Sequence, residues 1–405
     1  MFRFKIKVFY LLSIWENAIR AIIVPFLLIY IWQNGVSQLQ IGIISSAYFL
    51  TKLIFSSLFG SISDVIGRKK ALTLGSIIEI TFYIIFYIGR DYFMFLLAYL
   101  INGFAQALTM ASLSSWELDN IKAIYGESKW VKYLSKIKII GDLSFIISSI
   151  LAFFCFLWLK TMGYSDLQII RFFILICILI SIIKVITILL GEEIKKCKKR
   201  KEERFLKKFL KNYDEFIKLT KENPCFKIIL MIMFLYSVGY FILYTIYFLY
   251  LKLTLEIPEQ FYNLIFLTST IISIVIVFFN EKLVKHLKGE KKPIICFSLI
   301  SSFLIILSGL TRESSLLSLV LLILVDGLCC GIHPIFVTFL NKPIPSEIRA
   351  TAYSIVIMAG EIGCLVGGLV YGIVANNYGL TSVLYLSGFL ILLGTVPFLF
   401  MKTEN

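Results

Sequence analysis

The sequence is poor in the residues that build metal sites and disulfide frameworks. It has only two histidines and eight cysteines in 405 residues, and no two cysteines form a Cys-x-x-Cys pair. A structural zinc site needs four such ligands at short spacing, and disulfide frameworks are typical of small secreted domains. We therefore expect no metal site, no disulfide framework and no cofactor.

Signatures of nucleotide-driven pumps and hydrolases are also missing. The chain contains no phosphate-binding Gly-x-x-x-x-Gly-Lys-Ser/Thr loop, no Gly-x-Ser-x-Gly elbow and no His-Glu-x-x-His helix. These absences argue against an ATP-driven pump built from this chain alone, and we predict that the protein is not an enzyme.

Charged residues are scarce and apolar residues dominate. Asp, Glu, Lys and Arg make up 16% of the chain and hydrophobic residues 59%, with a mean hydropathy of +0.89. A soluble protein of this length needs more polar surface, so most of the chain must lie within a membrane. The net charge of +15 is concentrated in alternate loops, which indicates membrane orientation and not nucleic-acid binding.

Twelve apolar runs are long enough to cross a bilayer as helices. They are continuous and do not alternate, which argues against barrel strands. The basic N-terminus could belong to a signal peptide, but Glu16 and Arg20 interrupt the first run and no small-x-small cleavage site follows. We predict an uncleaved first helix and an all-α fold with helices at about 7–33, 39–62, 71–90, 92–120, 133–159, 166–191, 226–252, 259–281, 292–311, 314–341, 349–376 and 380–402.

Lys and Arg residues lie at both termini and in the even-numbered loops, whereas the opposite side has few. The positive-inside rule therefore predicts a multi-pass protein of the cytoplasmic membrane with both termini cytoplasmic. Residues 192–227 form the only long polar segment and contain a basic cluster with aromatic residues spaced for one helical face. One interpretation is regulation by anionic lipid. We prefer a cytoplasmic linker joining two six-helix bundles, 1–191 and 228–405.

A polar hinge, Gly60-Ser-Ile-Ser-Asp64-Val-Ile-Gly67-Arg68-Lys69-Lys70, separates the second and third helices. It resembles the cytoplasmic hinge motif of the major facilitator superfamily, except that Val65 stands where that family usually has a basic residue. Arg349-Ala-Thr, which opens the eleventh helix, is a second point of similarity. The resemblance implies two six-helix bundles that alternate access to a central site. It also implies gating roles for Gly60, Asp64, Gly67, Arg68, Lys69 and Arg349.

Faint similarity between the halves favours a parallel two-fold repeat. Asn102-Gly103 corresponds to Asp326-Gly327, and the Gly67 turn is repeated as Gly289-Glu-Lys-Lys. Asp64 and Gly60 have no counterpart in that second hinge, which predicts a smaller gating role for it.

Polar residues at bilayer depth are costly and indicate function or pairing. Glu16 and Arg20 have the i,i+4 spacing of one helical face, which fits either a binding site or a neutralising pair. The tyrosines of the seventh helix are spaced to form a stripe on one face. This stripe fits either substrate binding or core packing. The resemblance implies that helices 1, 4, 7 and 10 line the cavity, so the predicted substrate-binding residues are Glu16, Arg20, Asn102, Gln106, Tyr240, Tyr244 and Asp326.

Carboxylates in low dielectric can take up a proton, which makes them candidates for proton coupling: Glu16, Asp142, Asp326 and Glu361. For Asp142 and Glu361 the alternative is a packing salt bridge to Lys52, Lys136 or Lys138. Glu79 and Lys184 are expected to form mainly structural ion pairs.

Together these features predict a monomeric secondary transporter that exports a small organic or toxic compound, with protons as the candidate coupling ion. The alternatives are a nutrient-uptake symporter and a transporter-like membrane sensor or scaffold. The expected partners are the small-molecule substrate, the proton and the bilayer, without nucleic acid.

Overall fold

The computed structural model describes residues 2–125, 130–192, 224–342 and 349–401. Within these ranges the chain contains helices and no strands. Twelve helical segments are long and apolar enough to cross a membrane, which confirms the predicted number and type of elements.

The first of the twelve, α1, runs from Phe2 to Ile23, passes through a 3-10 turn at Val24–Phe26 and continues as Leu27–Gln33. Pro25 lies in that turn, and a proline cannot donate to the helical hydrogen-bond ladder. The other helices are α2 Gln38–Ile66, α3 Arg68–Ile88, α4 Tyr92–Tyr125, α5 Trp130–Thr161, α6 Asp166–Leu190, α7 Pro224–Leu253, α8 Tyr262–His286, α9 Lys291–Leu310, α10 Ser315–Asn341, α11 Arg349–Tyr378 and α12 Leu380–Phe400.

The chain divides into two compact units. Unit 1 contains residues 1–36 and 47–209, and unit 2 contains residues 37–46 and 210–405. Residues 37–46, the first turns of α2, group with unit 2 because they pack on α11. There the Ser46 hydroxyl donates to the Leu365 carbonyl at 2.8 Å, and a Cβ on Gly42 would lie only 2.4 Å from the Gly368 carbonyl.

Each unit repeats the same pattern of helix packing. In unit 1, α1 packs on α5 and α6, and α3 packs on α4 and α6. In unit 2, the corresponding α7 packs on α11 and α12, and α9 packs on α10 and α12. Small residues permit the close contacts: a Cβ on Gly141 of α5 would meet Ser13 and Asn17 of α1, and one on Gly363 of α11 would meet the Phe234 carbonyl of α7.

Large apolar side chains cover the outside of both units. On α6 these include Leu179, Ile183 and Ile186, and on α8 they include Ile274, Val275 and Phe278. Such surfaces are stable only in hydrocarbon, so the exposed faces of α6 and α8 are suited to lipid contact.

Candidate functional site

A network of three charged residues lies inside unit 1. The Lys184 ammonium group of α6 donates to Glu16 Oε2 of α1 at 2.6 Å and to Glu79 Oε2 of α3 at 2.8 Å. The side chains of Lys184 and Glu79 are each 4% exposed, whereas that of Glu16 is 44% exposed. The expected ion pair between Glu79 and Lys184 is confirmed, and Glu16 joins it.

Arg20 lies one turn after Glu16 but points to a different neighbour. Its guanidinium carbon is 5.7 Å from the ring centroid of Phe145 on α5, and its charge also acts on Asp142. Lys138 acts on the same carboxylate, which fits the packing alternative for Asp142. The i,i+4 spacing therefore brings Glu16 and Arg20 close along the helix, while each interacts with a different helix of unit 1.

Helix α4 carries a row of polar side chains on one face. Asn102, Gln106 and Glu117 are separated by four and eleven residues, so they lie within about 60° of each other around the helix axis. All three are half-buried. In the described part of the chain, no hydrogen bond or ion pair is formed by these three side chains. Met110, between them on this face, is 55% exposed.

Glu117 was not singled out from the sequence. The signal that could have identified it is its spacing of eleven residues from Gln106, which is close to three full helical turns and places both on one face. Glu117 lies towards the end of α4, two residues before Asp119, whereas Asn102 and Gln106 lie within its apolar span. Polar side chains at bilayer depth are costly against lipid, so this stretch of the face is suited to a water-filled cavity or a ligand.

Unit 1 also contains an apolar groove between α1, α5 and α6, with a volume of about 740 Å³. Its lining includes Trp15, Ala18, Leu143, Ile147 and Cys155. The Trp15 indole N–H donates to the Thr187 hydroxyl at 3.2 Å, which fixes the ring beside the groove. The groove can hold the apolar body of a lipid or of a lipophilic ligand.

The tyrosine stripe on α7 separates into packing and exposed members. Tyr236 is buried, donates to the Ser298 hydroxyl of α9 and packs on Phe336 with ring centroids 5.3 Å apart. Tyr240 is half-buried beside it, with centroids 5.5 Å apart. Tyr244, in contrast, is 51% exposed. Core packing therefore explains Tyr236, while Tyr244 presents an accessible face.

The predicted carboxylates of unit 2 lie on two different helices. Asp326 of α10 is half-buried, with its Oδ1 atom 3.9 Å from the Cys330 sulfur. Its charge also acts on the buried Tyr247 of α7. Glu361 of α11 is 6% exposed, which places it within the packed interior of the unit.

The predicted hinge is partly described. Helix α2 continues through Gly60 to Ile66, so the chain turns at Gly67, whose φ of +97° is a conformation that glycine adopts readily. Arg68 donates to the Ser115 carbonyl at 2.9 Å and pairs with Asp119 at the end of α4. Lys69 donates to the Leu189 carbonyl at 2.8 Å. These contacts anchor α3 within unit 1.

Other predicted features lie outside the described residues. The side chains of Asp64 and Arg349 are not described, nor are residues 193–223 of the predicted linker 192–227. The gating contact between the hinge and α11 remains a prediction.

Unit 2 contains an ion pair in the corresponding place with the charges reversed. Gly289 has a φ of +132°, and Glu290, just before α9, accepts from Lys342 at the end of α10 at 3.0 Å. Arg68 and Asp119 link the start of α3 to the end of α4 in the same way. The repeat therefore preserves the position of the ion pair and exchanges the signs.

Comparisons with known proteins agree with this architecture. A family model described as the Major Facilitator Superfamily matches residues 10–301 and 229–405. The quinolone resistance protein NorA of Staphylococcus aureus is 23% identical over 116 residues, which cover 29% of this chain and 30% of NorA. The chain therefore aligns with less than a third of that relative.

Solved structures of transporters share the fold across nearly the whole chain. A substituted form of the nucleoside transporter NupG has a TM-score of 0.80 at 18% identity, covering 98% of this chain and 100% of that one. A D-xylose-proton symporter has a TM-score of 0.69 at 14% identity, covering 99% and 97%. With the family match, the twelve helices and the repeated packing, the chain belongs to the major facilitator superfamily of membrane transporters.

Proposed function

We propose that this transporter exports an amphipathic organic compound across the cytoplasmic membrane in exchange for protons. The observation that carries the proposal is the polar face of α4. Asn102 and Gln106 offer amide donors and acceptors inside a spanning helix, and Glu117, nearer the end of that helix, offers a carboxyl group. Among the described residues none of these three side chains forms a hydrogen bond or an ion pair, so a ligand is a suitable partner for them.

The remaining contacts suit an apolar or aromatic body. Tyr244 of α7 presents an exposed ring in unit 2, and the groove beside Trp15 is almost entirely apolar. A pocket with many apolar contacts and a few polar groups is typical of sites for small organic ligands. The local similarity to NorA, named for quinolone resistance, favours an aromatic drug-like substrate and outward transport.

The mechanism we propose is alternating access by two bundles, 1–191 and 228–405, joined by the linker 192–227. Glu16, Arg20, Asn102, Gln106, Tyr240, Tyr244 and Asp326 are the proposed substrate contacts. Gly60, Asp64, Gly67, Arg68, Lys69 and Arg349 are the proposed gating residues. Glu16, Asp142, Asp326 and Glu361 are the proposed coupling carboxylates. In this proposal both termini lie in the cytoplasm and the working form is a monomer.

Transport in everted membrane vesicles tests direction and substrate together. In such vesicles an exporter accumulates its substrate inside. We expect accumulation of a fluorescent quinolone or of ethidium when the interior is acidic, and collapse of the accumulation when the proton gradient is removed. A nucleoside and D-xylose serve as comparison probes. Accumulation of either of these in right-side-out vesicles, without movement of the aromatic probes, would replace export by nutrient uptake.

A substitution on α4 tests the binding face. Glu117→Gln keeps the shape of the side chain and removes its charge. We expect at least tenfold weaker transport of the permanently cationic ethidium. A carboxylate that pairs with the cation away from water contributes more than about 1.4 kcal/mol to binding, which corresponds to a factor of ten in affinity. A matched control is Glu281→Gln, which removes an exposed carboxylate of α8. Unchanged ethidium transport by the Glu117 variant would exclude this residue from cation recognition.

A further inference from the structure

Two arginines of unit 1 converge on the hydroxyl group of Tyr30, near the end of the first spanning segment. Arg90, between α3 and α4, donates to this oxygen through Nη1 at 3.0 Å. Arg171, in the second turn of α6, donates to it through Nε at 3.3 Å. These two nitrogens therefore lie within about 6 Å of each other, a distance at which like charges repel.

Buried and backbone groups fix the oxygen on which the arginines converge. Tyr30 is fully buried, and its ring packs on Phe86 and Phe95 with centroid distances of 5.2 and 5.8 Å. Its hydroxyl donates to the Tyr87 carbonyl at 3.2 Å. Arg90 Nη1 donates to the same carbonyl at 3.0 Å. The spacing of the two guanidinium groups is therefore set by the packing of the bundle.

No carboxylate neutralises these two charges in the part of the chain that the structure describes. Asp91 follows Arg90 in sequence, but its carboxylate accepts from a backbone amide at the start of α4, at 2.9 Å. Asp166, at the start of α6, pairs with Lys160. A guanidinium group has five N–H donors, and Arg171 uses only Nε in the hydrogen bonds of the described residues. Its two terminal nitrogens are available to a ligand.

We propose that Arg90 and Arg171 bind the phosphate group of one anionic phospholipid. Phosphate oxygens accept paired hydrogen bonds from guanidinium groups, and the negative charge offsets the repulsion between the two arginines. A lipid with a net negative charge is favoured over a zwitterionic one, because the cation of a choline or ethanolamine headgroup is repelled by the same arginines. The site is separate from the proposed substrate contacts and does not depend on the proposed function.

Exposed apolar side chains adjoin the arginines and favour a lipid over free phosphate. Leu175 and Leu179 follow Arg171 by one and two turns along the same side of α6, and both are exposed. Ile84 and Ile88, in the last turns of α3, are exposed as well, and α3 packs on α6. An acyl chain joined to the phosphate can lie against these side chains, whereas free phosphate gains nothing from them.

The position of the site in the bundle also favours a specific ligand. α1 begins at Phe2, and Tyr30 lies in its continuation Leu27–Gln33, so the site is at the end of unit 1 opposite to the amino terminus. The loop charges predict that this end is extracytoplasmic, where basic residues are few. A pair of arginines at this end runs against the positive-inside pattern, so membrane orientation does not account for it.

Native mass spectrometry of the full protein in detergent tests the site with dioleoylphosphatidylglycerol as the probe. The variants are Arg90→Gln and Arg171→Gln. The matched control is Arg312→Gln, which removes an exposed arginine after α9 of unit 2. We expect the dissociation constant of the first bound lipid to rise about tenfold or more in each variant, because charge-assisted hydrogen bonds are lost. The control should keep the affinity of the wild type, as should binding of dioleoylphosphatidylcholine in all proteins.

A second pair of substitutions separates a lipid from a free anion. Leu175→Gln together with Leu179→Gln leaves both arginines in place and makes the exposed ridge polar, so we expect weaker binding of the phosphatidylglycerol. Inorganic phosphate is the probe without acyl chains. If inorganic phosphate raises the melting temperature of the wild type but not of the arginine variants, while the leucine variant binds the lipid as tightly as the wild type, the lipid is overturned in favour of a free anion.

Two other results would overturn the proposal. One is equal affinity for phosphatidylglycerol in the wild type and in both arginine variants, and the other is an equal loss of phosphatidylcholine binding, which would exclude selection by charge. If the glutamine variants do not fold, Arg90→Lys and Arg171→Lys keep the charge and lose the planar fork. Weaker phosphatidylglycerol binding by these lysine variants supports the site, and unchanged binding by both counts against it.

Discussion

Replacing Lys184 by methionine is the most informative perturbation of stability. Methionine preserves most of the apolar stem but removes the ammonium that contacts Glu16 and Glu79 at 2.6 and 2.8 Å. Glu79 is then left 4% exposed without its cationic partner. Removing one partner of a buried ion pair costs about 3–5 kcal/mol. Glu16 adds little to this cost, because its side chain is 44% exposed and can be hydrated.

The second substitution separates the cost of the buried charge from the cost of lost packing. In the variant Lys184→Met with Glu79→Gln, the uncompensated charge is gone. We expect its free energy of unfolding to return to within about 1–2 kcal/mol of the wild type, which is the cost of imperfectly satisfied polar groups. Lys285→Met is the matched control, because Lys285 forms an exposed i,i+4 pair with Glu281 and should give no resolvable change.

The assay is reversible unfolding of the purified protein in mixed micelles, with increasing dodecyl sulfate and circular dichroism as the signal. The expected order of stability is wild type and Lys285→Met first, then the double variant, then Lys184→Met. A loss below about 1 kcal/mol for Lys184→Met would refute the reasoning, since it lies far under the cost of an unpaired buried charge. A double variant no more stable than the single one would do the same.

Three further predictions concern the ends and interiors of the units. Arg68→Glu should lower the melting temperature by placing like charges together, and adding Asp119→Arg should restore it, because the pair is re-formed with the signs that unit 2 already uses. For Glu290, burial alone would raise the pKa, but hydrogen bonds from Lys342 and from the backbone lower it below 4.5. Its stabilisation is therefore present above about pH 4.5 and lost as pH falls through the folded pKa. Glu290→Gln should flatten the pH dependence of the unfolding midpoint in that window, and an unchanged slope would contradict this. Tyr236→Phe should cost about 1 kcal/mol in the same unfolding assay, since it removes one buried hydrogen bond, whereas a loss of transport without a loss of stability would argue for a binding role.

The sequence was sufficient to predict the twelve helices. Continuous apolar runs of this length have one stable form in a bilayer, and the run boundaries are set by charged and glycine-rich loops. The turn at Gly67 was predictable for the same reason, since a basic loop with two glycines follows the second run. The second helix ends at Ile66, four residues beyond the predicted end at residue 62, because glycine within a membrane helix is tolerated when neighbouring backbone remains hydrogen-bonded.

The polar network was only partly predictable. Spacing along one helix placed Glu16 beside Arg20, but a lysine 168 residues away supplied its partner. Which helices come together depends on packing across the whole unit. The residue pattern of a single helix does not show which other helices it will contact. The same limit applies to α7, where Tyr236 and Tyr244 share a stripe by spacing and differ in burial because of their neighbours on α9 and α10.

The two-fold repeat is visible partly in the sequence and more fully in the structure. Gly67 and Gly289 align by sequence, and the residues that follow them, Arg68 and Glu290, have opposite charges. The structure accounts for this difference, since Asp119 and Lys342 at the ends of α4 and α10 have exchanged charges as well. At equal distance the Coulomb attraction between two opposite charges is the same when their positions are exchanged.

The most direct test of the account is substrate-driven proton movement by the purified protein alone. Liposomes loaded with ethidium and a trapped pH indicator are diluted into dye-free buffer at equal pH, with the membrane potential clamped. If export is coupled to protons, ethidium leaving the liposomes drives protons inward, so the interior of wild-type liposomes is expected to acidify. Ethidium efflux without any change of internal pH, in wild type, would contradict proton-coupled export.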